Sequence, residues 1–397
     1  MDIPRYVELS ARLWSSLTGD QELYEPLWVD LHARSKANGF RIHGIWIADV
    51  AQQGASLALN EHFIGLDSKW LPGFEHHETE MNNYSDSWLD HSRDLLHMIN
   101  HFRSEMPLPI IGVGHSMGAN QLVNLALYHP RLFSTLILME PVISEISRDD
   151  KADTGRVPAR LSTFRRDIWP SKAAAMANFK KQKYYQFWDP RVLDLWIEHG
   201  IRSTPTALYP DERNGAVTLS TTKHHEVRSF LRPMFLRKGE YDDVQREAYP
   251  DLDPSLNPEV MPFYRPEVPG TFHRLKYLRP SVLYIFGEES DMSTPALIAK
   301  KMARTGIATG GSGGAAKGRV QELTIKGRGH LVPMEVVDEC AAAIGAWTGK
   351  ELQRWEKQQR EYEEWAKLPL HERQEITEEW KMRIGGPLQK SPAKPNL

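Results

Sequence analysis

Cysteine is nearly missing. Cys340 is the only one in 397 residues, so neither an intrachain disulfide nor a cysteine-built zinc cluster can form. That usage suits a reducing compartment. Long apolar runs are missing too. No window reaches the roughly 18 uncharged apolar residues of a membrane span. The mean hydropathy of −0.50 agrees, and no stable membrane insertion is expected. The start, "MDIPRYVELSARLW", lacks a basic stretch followed by an apolar core, so no secretory signal is read there. A basic excess is also lacking. Lys and Arg number 49 against 52 Asp and Glu, which leaves −3 and little to neutralise phosphates, so nucleic acid is not an expected partner.

Several features are present in quantity. Hydrophobic residues make up 41% and charged residues 25%, which is the make-up of a globular chain. The length fits one large domain with an insertion, or two domains. Aromatics reach 10% and prolines number 26, a mixture that lines apolar pockets or packs cores. No internal repeat is visible.

Four short apolar runs read as strands buried on both faces of a parallel sheet: 41–48, 109–113, 134–139 and 281–286. "SWLDHSRDLLHMINHF" (87–102) and "MGANQLVNLALYHP" (117–130) read as helices between them, the latter stopped by Pro130. Alternation of this kind predicts an α/β, doubly wound, mostly parallel sheet. After Pro141 the alternation breaks. The fold is therefore divided into a first core part over 1–143, a mainly helical cap over 144–275, a second core part over 276–349, and a helical extension with a flexible tail over 350–397. The Trp and Leu spacing of that extension predicts helices packing back on the body. The Gly-rich stretch "TGIATGGSGGAAKGR" (305–319) lacks the ending of a phosphate-binding loop and is read as a mobile surface loop.

The chemistry centres on "PIIGVGHSMGANQLVNLAL" (109–127). A strand runs into G-x-S-x-G and straight on into a helix. Ser116 then sits on a sharp turn, and Gly114 and Gly118 give it room. The helix start aims free N–H groups at developing negative charge, and the Met117 amide is one oxyanion donor. A serine needs a base. Sixteen histidines compete. His330 in "RVQELTIKGRGHLVPMEVV" follows a strand and a Gly-punctuated turn, late in the chain as the order Ser…acid…His demands. Two acids remain open. Glu140 ends the strand after the nucleophile helix. Asp291 lies one residue beyond the expected place after Gly287, which Ser290 occupies. The second oxyanion donor is expected from the loop after the third strand, read as 47–61, with Val50 or Ala51 as its source.

His115, Trp169, Trp188, Trp196 and His224 are candidate pocket residues. Each Trp serves equally as plain cap packing. His224 and His225 point to opposite sides if extended, and no third ligand is placed by spacing, so no metal site is expected. No cofactor is called for.

"GHSMGA", "GRGHLVPME" and the strand order between them resemble the α/β-hydrolase superfamily over roughly 40–345. "WIADVAQQGASLALNE", "GIRSTPTALYP", "VTLSTTKHHE" and "GGSGGAAKGRV" look like a fungal group of peroxisomal-lipase-like hydrolases and host-selective-toxin biosynthesis proteins. The resemblance implies a Ser–His–acid hydrolase with a large cap inserted after strand six, and a cytoplasmic or peroxisomal location. It also implies an acid position at Glu140. A Ser nucleophile rather than Asp argues against dehalogenase or epoxide-hydrolase chemistry. The ending Pro395-Asn396-Leu397 shares only its Leu with a Ser-Lys-Leu-like import signal.

The expected function is hydrolysis of an ester or thioester of a small hydrophobic, lipid-like or polyketide-like substrate. Two other classes stand beside it. One is dinucleotide binding, since "GVGHSMG" is glycine-rich between strand and helix and Glu140 falls about 20 residues on. The other is acyl transfer, lyase chemistry or ligand binding on the same scaffold. A homodimer is compatible with an apolar cap.

Overall fold

The computed structural model describes residues 6–11, 21–64, 87–145, 156–233 and 262–386. Parts of the expected cap, the loose tail and the terminal tripeptide lie outside the described residues. Two compact units divide the chain, 1–352 and 353–397.

The first unit is built on strands β1 (Tyr6–Ala11), β2 (Arg41–Ile45), β3 (Ile110–His115) and β4 (Phe133–Met139). Short cap strands follow: β5 (Ile168–Trp169), β6 (Ile201–Ser203), β7 (Val217–Leu219), β8 (Arg232–Pro233) and β9 (Phe263–Tyr264). Then come β10 (Ser281–Gly287) and β11 (Val320–Ile325). The main sheet has the order β11-β10-β4-β3-β1-β2, and every pairing in it is parallel.

Alternation along the strands sends side chains to opposite faces. Ile111, Val113, Ile137, Met139, Leu283 and Ile285 join one apolar cluster. Ile110, Leu136, Leu138, Val282, Tyr284 and Phe286 join the other. Helix α1 (Glu25–Ser35) contributes to the first cluster, through Leu27 and Leu31. Past the short helix α2 (Gly54–Asn60), helices α3 (Trp88–His101) and α4 (Ser116–Tyr128) supply Leu95, Ile99, Leu122 and Val123 to the second. This is the doubly wound sheet that the alternation predicts.

Two expectations about strands need correction. The run at 41–48 is not buried on both faces. It is shorter, and as the outer strand of the described sheet it leaves Arg41 and His43 exposed. The pairing segment Tyr6–Ala11, by contrast, was not read as a strand at all.

The described part of the cap is mainly helical, with helices Arg156–Phe164, Lys172–Lys181, Lys183–Gln186, Pro190–His199 and Lys223–Phe230. It enters after β4. It also carries the three-stranded sheet β5-β7-β6 and the pair β8-β9, which the sequence did not reveal.

The Gly-rich stretch forms a hydrogen-bonded knot, not an open surface loop. Its amides at Gly306, Ala308 and Ser312 donate to the carbonyls of Leu275, Lys276 and Leu278. Gly306 has φ +72°, and a Cβ there would lie 2.1 Å from Ser312 Oγ, so glycine is required for tight folding rather than for mobility.

The second unit, in its described part, holds the end of the helix Val337–Ala366, then Leu370–Gln374 and Glu378–Ile384. Its Trp365, Leu370 and Trp380 are exposed.

Candidate active site

Strand β3 ends at His115, and α4 begins at Ser116 with no residue between them. That junction forces Ser116 to φ +54°, a left-handed value that strains a side-chain-bearing residue. The turn closes only because Gly114 lacks a Cβ, which would sit 2.8 Å from the backbone of Ala119. Ser116 is thereby raised at the sheet edge, at the N-terminus of α4.

His330 lies between β11 and a short helix, Val332–Glu335. Its Nε2 is 2.8 Å from Ser116 Oγ, and its Nδ1 is 3.0 Å from Glu140 Oε2. Gly287 makes this approach feasible. A Cβ there would come within 2.2 Å of the Gly329 carbonyl oxygen, in the turn that carries the histidine.

Glu140 follows β4 directly, at φ +45° and fully buried. Its Oε1 accepts from the Gly287 amide at 2.7 Å. Its Oε2 accepts from Ser290 Oγ at 2.6 Å and Ser293 Oγ at 3.0 Å, besides facing His330. A buried carboxylate so supplied with donors is held in orientation. The two acids left open by the sequence therefore separate. Asp291 is exposed, and its loop presents hydroxyls, Ser290 and Ser293, to Glu140. The carboxylate comes from the neighbouring strand instead.

Fixed this way, the constellation suits proton transfer. Glu140 faces Nδ1, so the proton of a neutral His330 sits there and Nε2 is left to accept from the serine hydroxyl. The dinucleotide reading loses its acid, because Glu140 is buried against His330 and not free for a ribose.

Other predicted residues are placed as follows. Met117 is the second residue of α4, and its side chain packs with Val50, Trp88 and Val268. The loop at 47–61 follows the outer strand β2, which is separated from β3 by β1, so it is not the loop of the adjacent strand. Val50 nevertheless reaches the elbow through Met117, and Ala51 beside it is half-buried.

The pocket candidates fare differently. Trp169, Trp188 and Trp196 are 2%, 5% and 1% exposed, and they pack on each other through Phe179 and Tyr185. They form an aromatic cap core, the plainer of the two readings. His224 is exposed on a helix rather than in an extended segment. His225 Nδ1 lies 2.7 Å from Thr222 Oγ1. Among the described residues no group of His, Cys, Asp and Glu is arranged to hold a metal ion. His115 is 1% exposed, and its ring bridges Tyr24 and the His330 backbone. Sequence reasoning missed this role, and also missed Ser290 and Ser293. Two hydroxyls three apart where an Asp is expected were the available signal.

Comparison with known proteins agrees with the geometry. The α/β hydrolase family matches over residues 28–343. A type I acyl-CoA thioesterase mpaH of Penicillium roqueforti is 38% identical over 370 residues, covering 88% of this chain and 79% of that protein. The abhydrolase domain-containing protein AFT2-1 of Alternaria alternata is 31% identical, covering 62% of this chain and 85% of its own. In structure, the peroxisomal α/β-hydrolase Lpx1 of Saccharomyces cerevisiae aligns with a TM-score of 0.60 at 16% identity, covering 96% of this chain and 83% of that one. The chain belongs to the α/β hydrolase family. No helix among the described residues is long and apolar enough to cross a membrane.

Proposed function

We propose that the protein is a thioesterase that hydrolyses hydrophobic acyl thioesters through an acyl-enzyme on Ser116. The observation that carries the reading is the line of contacts from Ser116 Oγ through the His330 ring to Glu140, at 2.8 and 3.0 Å. The similarity to acyl-CoA thioesterases of Penicillium favours a thioester over an oxygen ester. Ser116 Oγ attacks the acyl carbon while His330 Nε2 takes its proton. Glu140 stabilises the imidazolium that forms. The Met117 amide, at the positive end of α4, faces the developing oxyanion. The tetrahedral intermediate expels the thiolate, which receives the proton from His330. Water then enters by the same route and releases the carboxylic acid.

The test is labelling with a fluorophosphonate probe, alongside a panel of acyl-CoA thioesters and p-nitrophenyl esters. Stoichiometric labelling at Ser116, absent in Ser116→Ala and suppressed in His330→Ala, is expected. Glu140→Gln should lower kcat by about 10³-fold or more, with Asp291→Asn near wild type. A large loss in Asp291→Asn with Glu140→Gln unaffected would overturn the assignment of the acid. Faster turnover of esters than of matched thioesters would overturn the substrate class.

A further inference from the structure

His115 stands immediately before the nucleophile, and its ring is buried. Its Nε2 lies 2.8 Å from the backbone oxygen of His330. Its Nδ1 lies 3.0 Å from the hydroxyl of Tyr24, in the short turn Gln21–Tyr24 that leads into α1. Both residues are buried. We infer that His115 and Tyr24 are positioning residues: together they set the height of the His330 backbone over the elbow, and so the reach of its ring to Ser116. The inference rests on the proposed Ser116–His330 reading.

The direction of the bridge follows from chemistry. A carbonyl oxygen only accepts, so His115 Nε2 carries the hydrogen and donates. A neutral imidazole has one N–H, so Nδ1 is left to accept, and the Tyr24 hydroxyl donates to it. Each member can play one part only. Burial pushes the His115 ring well below its usual pKa, and the nearby His330 pushes in the same direction. Burial likewise raises Tyr24 well above its usual value, with Cys340 adding to it, so the phenol keeps its hydrogen. Neutrality matters, because the His115 and His330 ring centroids are 5.2 Å apart. A cation on His115 would oppose the imidazolium that forms on His330 during attack.

The geometric consequence is specific. The strand end that carries the nucleophile also grips the backbone of the base, through the side chain one residue earlier. Misplacement of a reacting group by about 1 Å can cost on the order of 10²-fold in rate. The bridge guards against that slip without touching substrate.

Three variants and one spectrum test it in the full-length protein. His115→Leu removes the donor to His330; kcat on an acyl-CoA thioester, and the rate of fluorophosphonate labelling at Ser116, should fall about 10–100-fold with KM held within about twofold. His115→Gln keeps an N–H near the position of Nε2 and should recover most of both rates. Tyr24→Phe, the mildest change, should lower kcat several-fold at unchanged KM. In wild type, ¹⁵N-histidine spectra at neutral pH should show His115 as the Nε2–H tautomer, a readout that survives even if His115→Leu fails to fold. A folded His115→Leu at wild-type rate, equal losses in the Leu and Gln variants, or an Nδ1–H tautomer overturns the bridge. Retained turnover in Ser116→Ala instead overturns the reading of the site on which it rests.

Discussion

Lys301 is a residue whose environment opposes its charge. It is 1% exposed, its ammonium finds no hydrogen-bond partner among the described residues, and it faces the Phe286 ring at 5.6 Å from the centroid. Burial lowers its pKa from 10.5 to about 8, while the negative charge of Glu140 pulls it partly back. At pH 7 the lysine is charged in both folded and unfolded chains, so the desolvation penalty is fully present. Shifted from 10.5 to about 8, the group carries a penalty on the order of 3 kcal/mol. As pH climbs from about 8 towards 10.5, the folded chain sheds the proton first and the penalty fades. Lys301→Met is therefore expected to raise Tm by a few degrees at pH 7, with the gap closing towards pH 10.5. Scanning calorimetry across that range checks it, and a lower Tm for the variant at pH 7 would mean that attraction to Glu140 outweighs burial. Residues of this kind were poorly legible. Ser116 and His330 stood out because strand, turn and helix punctuate them. Glu140 was one of two candidates because its claim depends on Ser290 and Ser293, which reach it from 150 residues away. His115 was mistaken for a pocket residue because sequence gives a side chain's neighbours along the chain, not the face on which it lands.

At the scale of elements, legibility tracks how much a segment's fate is local. The elbow is a local object, a strand closed on a helix by Gly114, and its text announces it. The cap strands β5, β6 and β7 are two or three residues long, too short for a period-2 pattern, and they exist only because distant segments pair. The cap tryptophans were ambiguous because an aromatic run reads alike whether it faces ligand or its own helices. Their arrangement gives them a structural job. Trp196 lies 5.6 Å from Phe179 and 6.5 Å from Trp188, ring to ring, and its indole leaves no room for a Cβ at Gly200, which would be 2.0 Å away. Two consequences are expected. Gly200→Ala must displace the ring and should lower Tm clearly. Trp196→Ala should cost about 3–5 kcal/mol of stability, leaving the ratio of kcat/KM between short and long acyl chains unchanged. Denaturant unfolding and a chain-length series measure the two effects separately. A shifted acyl preference in Trp196→Ala without loss of stability would return the tryptophans to the pocket.

Across the whole first unit, the cap is joined to the sheet domain by polar bonds as well as apolar packing. Gln53 Nε2 reaches Ser229 Oγ at 3.1 Å, the Trp88 indole donates to the Ser229 carbonyl at 2.8 Å, and Arg191 forks onto Asp30 at 2.8 and 2.9 Å. The buried centre of this seam is Glu267. Its carboxylate accepts from Ser87 Oγ at 3.0 Å and the Trp88 amide at 2.9 Å, and it faces Arg232 at 3.5 Å and Arg265 at 3.7 Å. Burial alone would raise its pKa, but the two guanidiniums, Arg265 before Arg232, overcome that and hold it below the usual value. A carboxyl lowered on folding adds stability that is present above its unfolded pKa and is lost as pH falls through the folded one. Glu267→Gln should thus destabilise the protein by about 3–5 kcal/mol at pH 7, because two buried cations lose the charge they face. The deficit should shrink as pH falls below the usual carboxylate range, because the unfolded chain takes up the proton first and the wild-type carboxyl follows only at its lowered folded pKa, where it resembles the amide. Thermal unfolding of both proteins from pH 7 down to pH 3 measures the gap directly. A gap that stays constant over that range would mean that the carboxylate serves the seam by hydrogen bonding alone, and that its charge contributes nothing to holding the cap against the sheet.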